Sequence, residues 1–160
     1  MPVYHFVLHA YRSWNADHPQ GYCRKGEPGV FAPDSGLAAH RNTIALCPAV
    51  VWDRADQELL MAFAHEVCAR RCWRIHGIAV TETHAHLVVS WRGKTPAMQV
   101  QRTMKQIMAL QLGRRHNAAG RRWFSRGGKP LRVHNPGHLR TLIMAYLPSQ
   151  GGVCRCEKIG

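Results

Sequence analysis

The first strand-like segment alternates. Val3, His5, Val7 and His9 fall on one face of an extended chain, and Tyr4, Phe6, Leu8 and Ala10 on the other. That period of two predicts a strand over 3–12. A Gly- and Pro-rich stretch, 13–34, predicts a loop. Residues 36–46 read as a short helix capped by Asp34 or Ser35. Asp53 is placed to cap a helix over 54–71, with Leu59, Leu60, Phe63 and Val67 at helical spacing. Residues 73–81 and 84–91 read as strands separated only by Glu82 and Thr83, hence an antiparallel hairpin. Thr95 and Pro96 open a third helix as N-cap and first residue. Val100, Met104, Ile107 and Met108 make its apolar stripe, and Gly113 ends it. A basic loop leads to a short strand, 131–134. Asn135 and Pro136 then start a last helix that runs to about Leu147.

The order β, α, β, β, α, β, α predicts an α+β protein. Its expected form is a ferredoxin-like (split βαβ) sheet of four antiparallel strands with helices on one face, plus a C-terminal helix carrying Tyr146. Without repeats or an evident linker, residues 1–152 read as one domain, with 13–52 as an insertion-like region and 153–160 as a tail. A chain of 160 residues, 46% hydrophobic, can bury a substantial core. No apolar run reaches membrane-spanning length. The opening Met-Pro-Val-Tyr-His-Phe has no signal-peptide pattern, so the expectation is an intracellular protein with reduced thiols. Neither Cys68/Cys72 nor Cys154/Cys156 has the spacing of a structural zinc pair, and the latter two read as surface thiols of a loose tail.

Charge changes this picture. The chain carries 22 Lys and Arg against 9 Asp and Glu. Residues 1–93 hold nine basic and eight acidic residues; residues 94–160 hold thirteen basic residues and the single acid Glu157. One-sided excess of this kind is the footprint of a polyanion, most often nucleic acid. A membrane surface would call for a basic amphipathic helix or a lipid signal, and neither is present in the sequence. Arg114, Arg115, Arg121, Arg122, Arg126, Lys129 and Arg132 lie in an acid-free stretch that also holds Trp123 and Phe124. The arginines read as phosphate contacts. The two aromatics read either as stacking surfaces for unpaired bases or as anchors of the loop to the core.

Candidate chemistry comes from two places. His84 and His86 sit two residues apart in a strand, so both face one side while Ala85, Leu87, Val89 and Trp91 face the other. Two neutral imidazoles on one rigid strand are a ready pair of metal ligands; the alternative is two half-exposed histidines. In the last helix Tyr146 precedes Gln150 by four residues. A phenol can attack a phosphodiester, and a Gln carbonyl can complete a metal site beside two histidines. Tyr146 also extends the stripe Leu139, Leu142, Ile143, which makes a core role the alternative, and Pro148 disturbs helical geometry between the two residues.

Together these residues resemble a known family. His84-Ala-His86 followed by Leu-Val-Val is similar to the histidine–hydrophobic–histidine (HUH) motif, and Tyr146 followed by Gln150 is similar to the single-tyrosine motif of HUH transposases. Tyr4-His-Phe-Val-Leu and the strand from Trp73 also match in order. Over residues 1–152 the chain resembles the transposases of the smallest single-strand insertion sequences and their domesticated relatives, the REP-associated tyrosine transposases. The resemblance implies that His84, His86 and Gln150 hold Mg²⁺ or Mn²⁺. Tyr146 would attack single-stranded, hairpin-containing DNA to leave a covalent 5′-phosphotyrosine. It further implies a cytoplasmic, nucleoid-associated protein that often forms a homodimer. A non-catalytic DNA- or RNA-binding module of the same fold is the main alternative. A metal-dependent phosphodiesterase with a structural Tyr146 is the third.

Overall fold

The computed structural model describes residues 1–24 and 26–158. It contains strands β1 (Val3–His9), β2 (Arg74–Val80), β3 (His84–Ser90), β4 (Leu131–Val133) and β5 (Val153–Cys156), and helices α1 (Ser35–Thr43), α2 (Arg54–Arg70), α3 (Ala97–Arg115) and α4 (Pro136–Thr141). The strands form one antiparallel sheet in the order β4–β1–β3–β2–β5. The protein is α+β, with five strands where the sequence predicts four.

The added strand is the segment read as a loose tail. Val153 pairs with Val80, Cys154 with Ala79, Arg155 with Ile78 and Cys156 with Gly77. Four residues are too few to show a period, so the pattern carried no signal. The strand protects β2, which would otherwise be a buried strand with an open edge. Gly152 makes the approach possible: at φ 67, a Cβ there would lie 2.0 Å from the Val80 carbonyl oxygen. Residues 153–156 are therefore part of the sheet, and Cys156 is half-buried while Cys154 is exposed.

Alternation in the strands sorts the two faces. Phe6, Leu8, Ile78, Val80, Ala85, Leu87 and Val89 join one core with Leu60, Ala64 and Val67 of α2 and Val100, Met104, Met108 and Leu112 of α3. The α2 stripe is centred one position off the expectation: Ala64 and Cys68 are buried while Phe63 is only partly so. The opposite face carries the histidines and a smaller core of Ala79, Val88, Val133, Leu142 and Leu147 beneath the C-terminal helix.

Caps fix the helices. Asp34 accepts from the Leu37 amide (2.8 Å), Asp53 from Asp56 (2.7 Å) and Asn135 from His138 (2.8 Å). Helix α3 begins at Pro96 with no side-chain cap and runs through Gly113 to Arg115. Gly113 is no stop signal here: the helix continues past it to Arg115, and a Cβ at this position would meet the Trp123 indole nitrogen at an ordinary contact distance of 3.6 Å. The inserted 13–52 region has its own small cluster of Ala16, Tyr22 and Ala38, with Phe31 and Leu37 against it. No helix of the described residues is long and apolar enough to cross a membrane.

Candidate active site

The site is built on the histidine face of the sheet. In the β1–β3 ladder Val7 stands opposite His86 and His9 opposite His84, so the imidazoles of both strands share one surface. The rings of His84 and His86 are 4.8 Å apart and nearly perpendicular. His84 is half-buried, and its Nδ1 lies 3.1 Å from Thr81 Oγ1 and 3.0 Å from Thr83 Oγ1. The hairpin residues thus hold the ring by one nitrogen and leave Nε2 uncommitted. His86 is 3% exposed; its Nδ1 lies 2.9 Å from His5 Nε2, and its Nε2 is buried without any hydrogen-bond partner. Burial first, and then the neighbouring His5, His84 and His9 imidazoles, push His86 down to about 3. Burial and then His138 push His5 down to about 4. Both rings are neutral at neutral pH, the form in which imidazole binds a metal.

Tyr146 reaches this surface from the other side. After α4 the chain widens into a π-helical turn, Leu142–Tyr146, closed by Leu147 N–H donating to the Leu142 carbonyl at 2.8 Å, and then tightens into a 3₁₀ turn, Pro148–Gln150. Pro148 has no N–H to continue an α ladder, yet Leu147 keeps helical dihedrals (φ −61, ψ −45). The extra residue rotates the stripe. Leu147 fills the core at 0% exposure, while Tyr146 is 38% exposed, its ring edge-on to His86 at 5.3 Å and to His5 at 5.7 Å. The core role for Tyr146 therefore passes to its neighbour.

Gln150 follows one turn later. Its amide nitrogen donates to the Tyr146 carbonyl at 3.2 Å, and its side chain borders a cleft of about 510 Å³ that His84, Thr83, Glu82 and Arg54 also line. Among the described residues no three His, Cys, Asp or Glu side chains come together as a metal-holding group. A metal here would have two histidines and need a ligand of another kind; Gln150 borders the same cleft as His84. The orphaned His86 Nε2 and the uncommitted His84 Nε2 fit such a role, because a buried imidazole nitrogen without a partner is otherwise costly.

From the sequence, His5, His9 and His76 lie on strands that can approach the site, and a structural role is the expectation for all three; His5 is the one found bonded to His86. Its place on the histidine-bearing face of β1 was legible, but only the β1–β3 register shows that it meets His86. His9, 6.0 Å from His84 ring to ring, is a neighbour. His76 points into other business, with Nε2 2.8 Å from Ser90 Oγ and Nδ1 2.5 Å from Glu157.

The basic residues divide. Arg115 pairs with the buried Asp56 at 2.9 Å, beside His116 at 2.7 Å, and ties α3 to α2. Trp123 is 4% exposed, with the Arg121 guanidinium over its ring at 4.8 Å and the His116 ring tilted against it at 5.0 Å, and Phe124 packs on Trp52 at 5.3 Å. Both aromatics anchor the loop to the core, and Trp123 leaves little surface on which a base could stack. Arg114, Arg122, Arg126, Lys129 and Arg132 remain at the surface without ion-pair partners among the described residues. No protein-family model matches this chain, and no curated protein matches it.

Proposed function

We propose that this chain is an HUH-type, metal-dependent transposase or endonuclease that cuts and rejoins single-stranded DNA through Tyr146. The observation that carries the reading is the convergence of a half-exposed tyrosine, from a broken helical turn, on the neutral His5–His86 pair. The frame is taken as ferredoxin-like, with the fifth strand as an edge addition. His84, His86 and Gln150 would hold Mg²⁺ or Mn²⁺, which when bound draws charge from the scissile phosphate. His5 and the two threonine hydroxyls orient the imidazoles. Arg122, Arg126 and their basic neighbours bind backbone phosphates.

Tyr146 Oη forms a bond to phosphorus, the bond from phosphorus to O3′ breaks, the phenolic proton leaves to water, and the departing O3′ takes one up. The 5′-phosphate stays on the tyrosine, and a 3′-OH attacking the same phosphorus reverses the step. The natural strand is proposed to contain a hairpin, and the enzyme to work as a homodimer in the cytoplasm.

A non-catalytic DNA- or RNA-binding module is the second reading, supported by the exposed arginines of the basic loop, unpaired among the described residues, which serve binding whether or not cleavage follows. Labelled hairpin-containing single-stranded DNA, incubated with protein and Mg²⁺ or Mn²⁺, separates the cases. The transposase gives an SDS-stable adduct at Tyr146. A hydrolase gives cleavage without an adduct, and a binding module gives only a mobility shift.

A further inference from the structure

Trp14 lies in the inserted region, just beyond β1. It is 43% exposed, yet its ring is fixed. Its indole N–H donates to the Gly21 carbonyl at 2.9 Å, and one ring face stacks on His18 at 3.8 Å between centroids and 12° between planes. The chain turns into this position through Arg12, whose left-handed backbone (φ 61) is unusual for a side-chain-bearing residue. The Arg12 guanidinium bonds Asn42 and the Cys47 carbonyl, so the insertion is tied to the end of β1.

Trp14 borders a cleft of about 380 Å³ between the insertion and the basic loop. Arg12, Arg41, Arg122 and Arg126 line it, and no acid does. Trp14 is also near the candidate site: its ring lies 5.9 Å from that of His9, edge-on, and His9 lies 6.0 Å from His84. A rigid, half-open indole among cations with no acid complements one chemical unit well, an aromatic base carrying phosphates.

We propose that Trp14 is the stacking platform for one unpaired base of a single strand, with Arg122 and Arg126 on its flanking phosphates. The inference rests on the nucleic-acid reading above but not on catalysis. It assigns to the insertion the role that the buried Trp123 cannot fill.

The test is anisotropy of a labelled oligothymidylate against the full-length protein, alongside an abasic oligomer of equal length. Trp14→Ala should weaken oligothymidylate binding by about five- to 150-fold, the range for loss of one base stack. It should leave abasic binding and the salt slope unchanged, and Trp14→Phe should restore most of the affinity. Arg122→Ala should instead lower the log–log salt slope by roughly 0.7 on both oligomers. Equal losses on both oligomers for Trp14→Ala, or no rescue by Phe, overturn the stacking role. Unchanged oligothymidylate affinity in Trp14→Ala overturns it too, while the arginine effect leaves nucleic-acid binding standing. Wild-type protein that binds neither oligomer overturns both.

Discussion

His5 and His86, 81 residues apart in sequence, meet across β1 and β3 with Nε2 of the first 2.9 Å from Nδ1 of the second. Two neutral imidazoles bond only if one donates. When His86 Nδ1 donates, its Nε2 carries a lone pair toward the space beside His84 and Tyr146, the tautomer a metal ligand requires. His5→Phe removes the acceptor and keeps a ring. It should weaken Mn²⁺ binding by about 10–100-fold, the usual loss for such a support, and His86→Ala should weaken it further. Titration of Mn²⁺ by calorimetry or spin resonance measures both; equal affinity in His5→Phe would show that the bond does not serve metal binding.

Tyr146→Phe tests the nucleophile. The ring is half-exposed and the phenol oxygen makes no hydrogen bond among the described residues, so the variant's stability should lie within about 0.5 kcal/mol of wild type, as for surface substitutions. Metal and single-stranded DNA binding should persist. The SDS-stable adduct should vanish. An adduct retained in this variant, or mapped by mass spectrometry to Tyr4, Tyr11 or Tyr22, removes Tyr146 from the chemistry.

Arg115 and Arg126 should behave oppositely although both lie in the basic half. Arg115→Ala takes a guanidinium from the buried Asp56, leaving only His116 as partner. It should destabilise the fold by about 1–3 kcal/mol, the cost of a buried polar group losing a partner, seen in denaturant unfolding, with little change in salt slope. Arg126→Ala should leave stability untouched and reduce the slope of DNA binding by roughly 0.7.

Trp123→Ala should cost about 3–5 kcal/mol by opening a cavity against α3. Matched for folded fraction, its binding to oligothymidylate should equal wild type. A specific loss of affinity at unchanged stability would restore Trp123 as a base contact.

Burial pushes the Cys68 thiol up to about 12, and burial followed by the neighbouring Cys154 does the same to Cys156. At mildly alkaline pH these two should stay protonated and resist iodoacetamide, while exposed Cys23, Cys72 and Cys154 react. Mass mapping of alkylated sites checks this. Because folding raises both values, the stability they favour is present below the unfolded thiol value and fades as pH rises through and above it. Rapid labelling of Cys156 would mean that β5 does not stay paired with β2.

Much of the frame was legible because long elements repeat their signal. The alternation of β1 and β3, the Asp53 and Asn135 caps and the β2–β3 hairpin all follow from residue order. What escaped was set by contacts distant in sequence. β5 depends on the edge that β2 offers, and the meeting of His5 with His86 on strand register. The aromatic pair at 123–124 looked the same as a base platform until burial distinguished them. Local pattern could pair His84 with His86 and Tyr146 with Gln150, but nothing local tied one pair to the other.

The widened turn before Pro148 has one more consequence. A residue is worth about 100° of helical phase, so the direction of Tyr146 is set by counting rather than by affinity for its surroundings. Regular α geometry through the same residues would send the phenol inward and leave Leu147 at the margin. Pro148, which has no backbone donor to continue an α ladder, follows directly on that turn. Pro148→Ala, which touches no histidine and removes no hydroxyl, is then the change that could silence the tyrosine by turning it away.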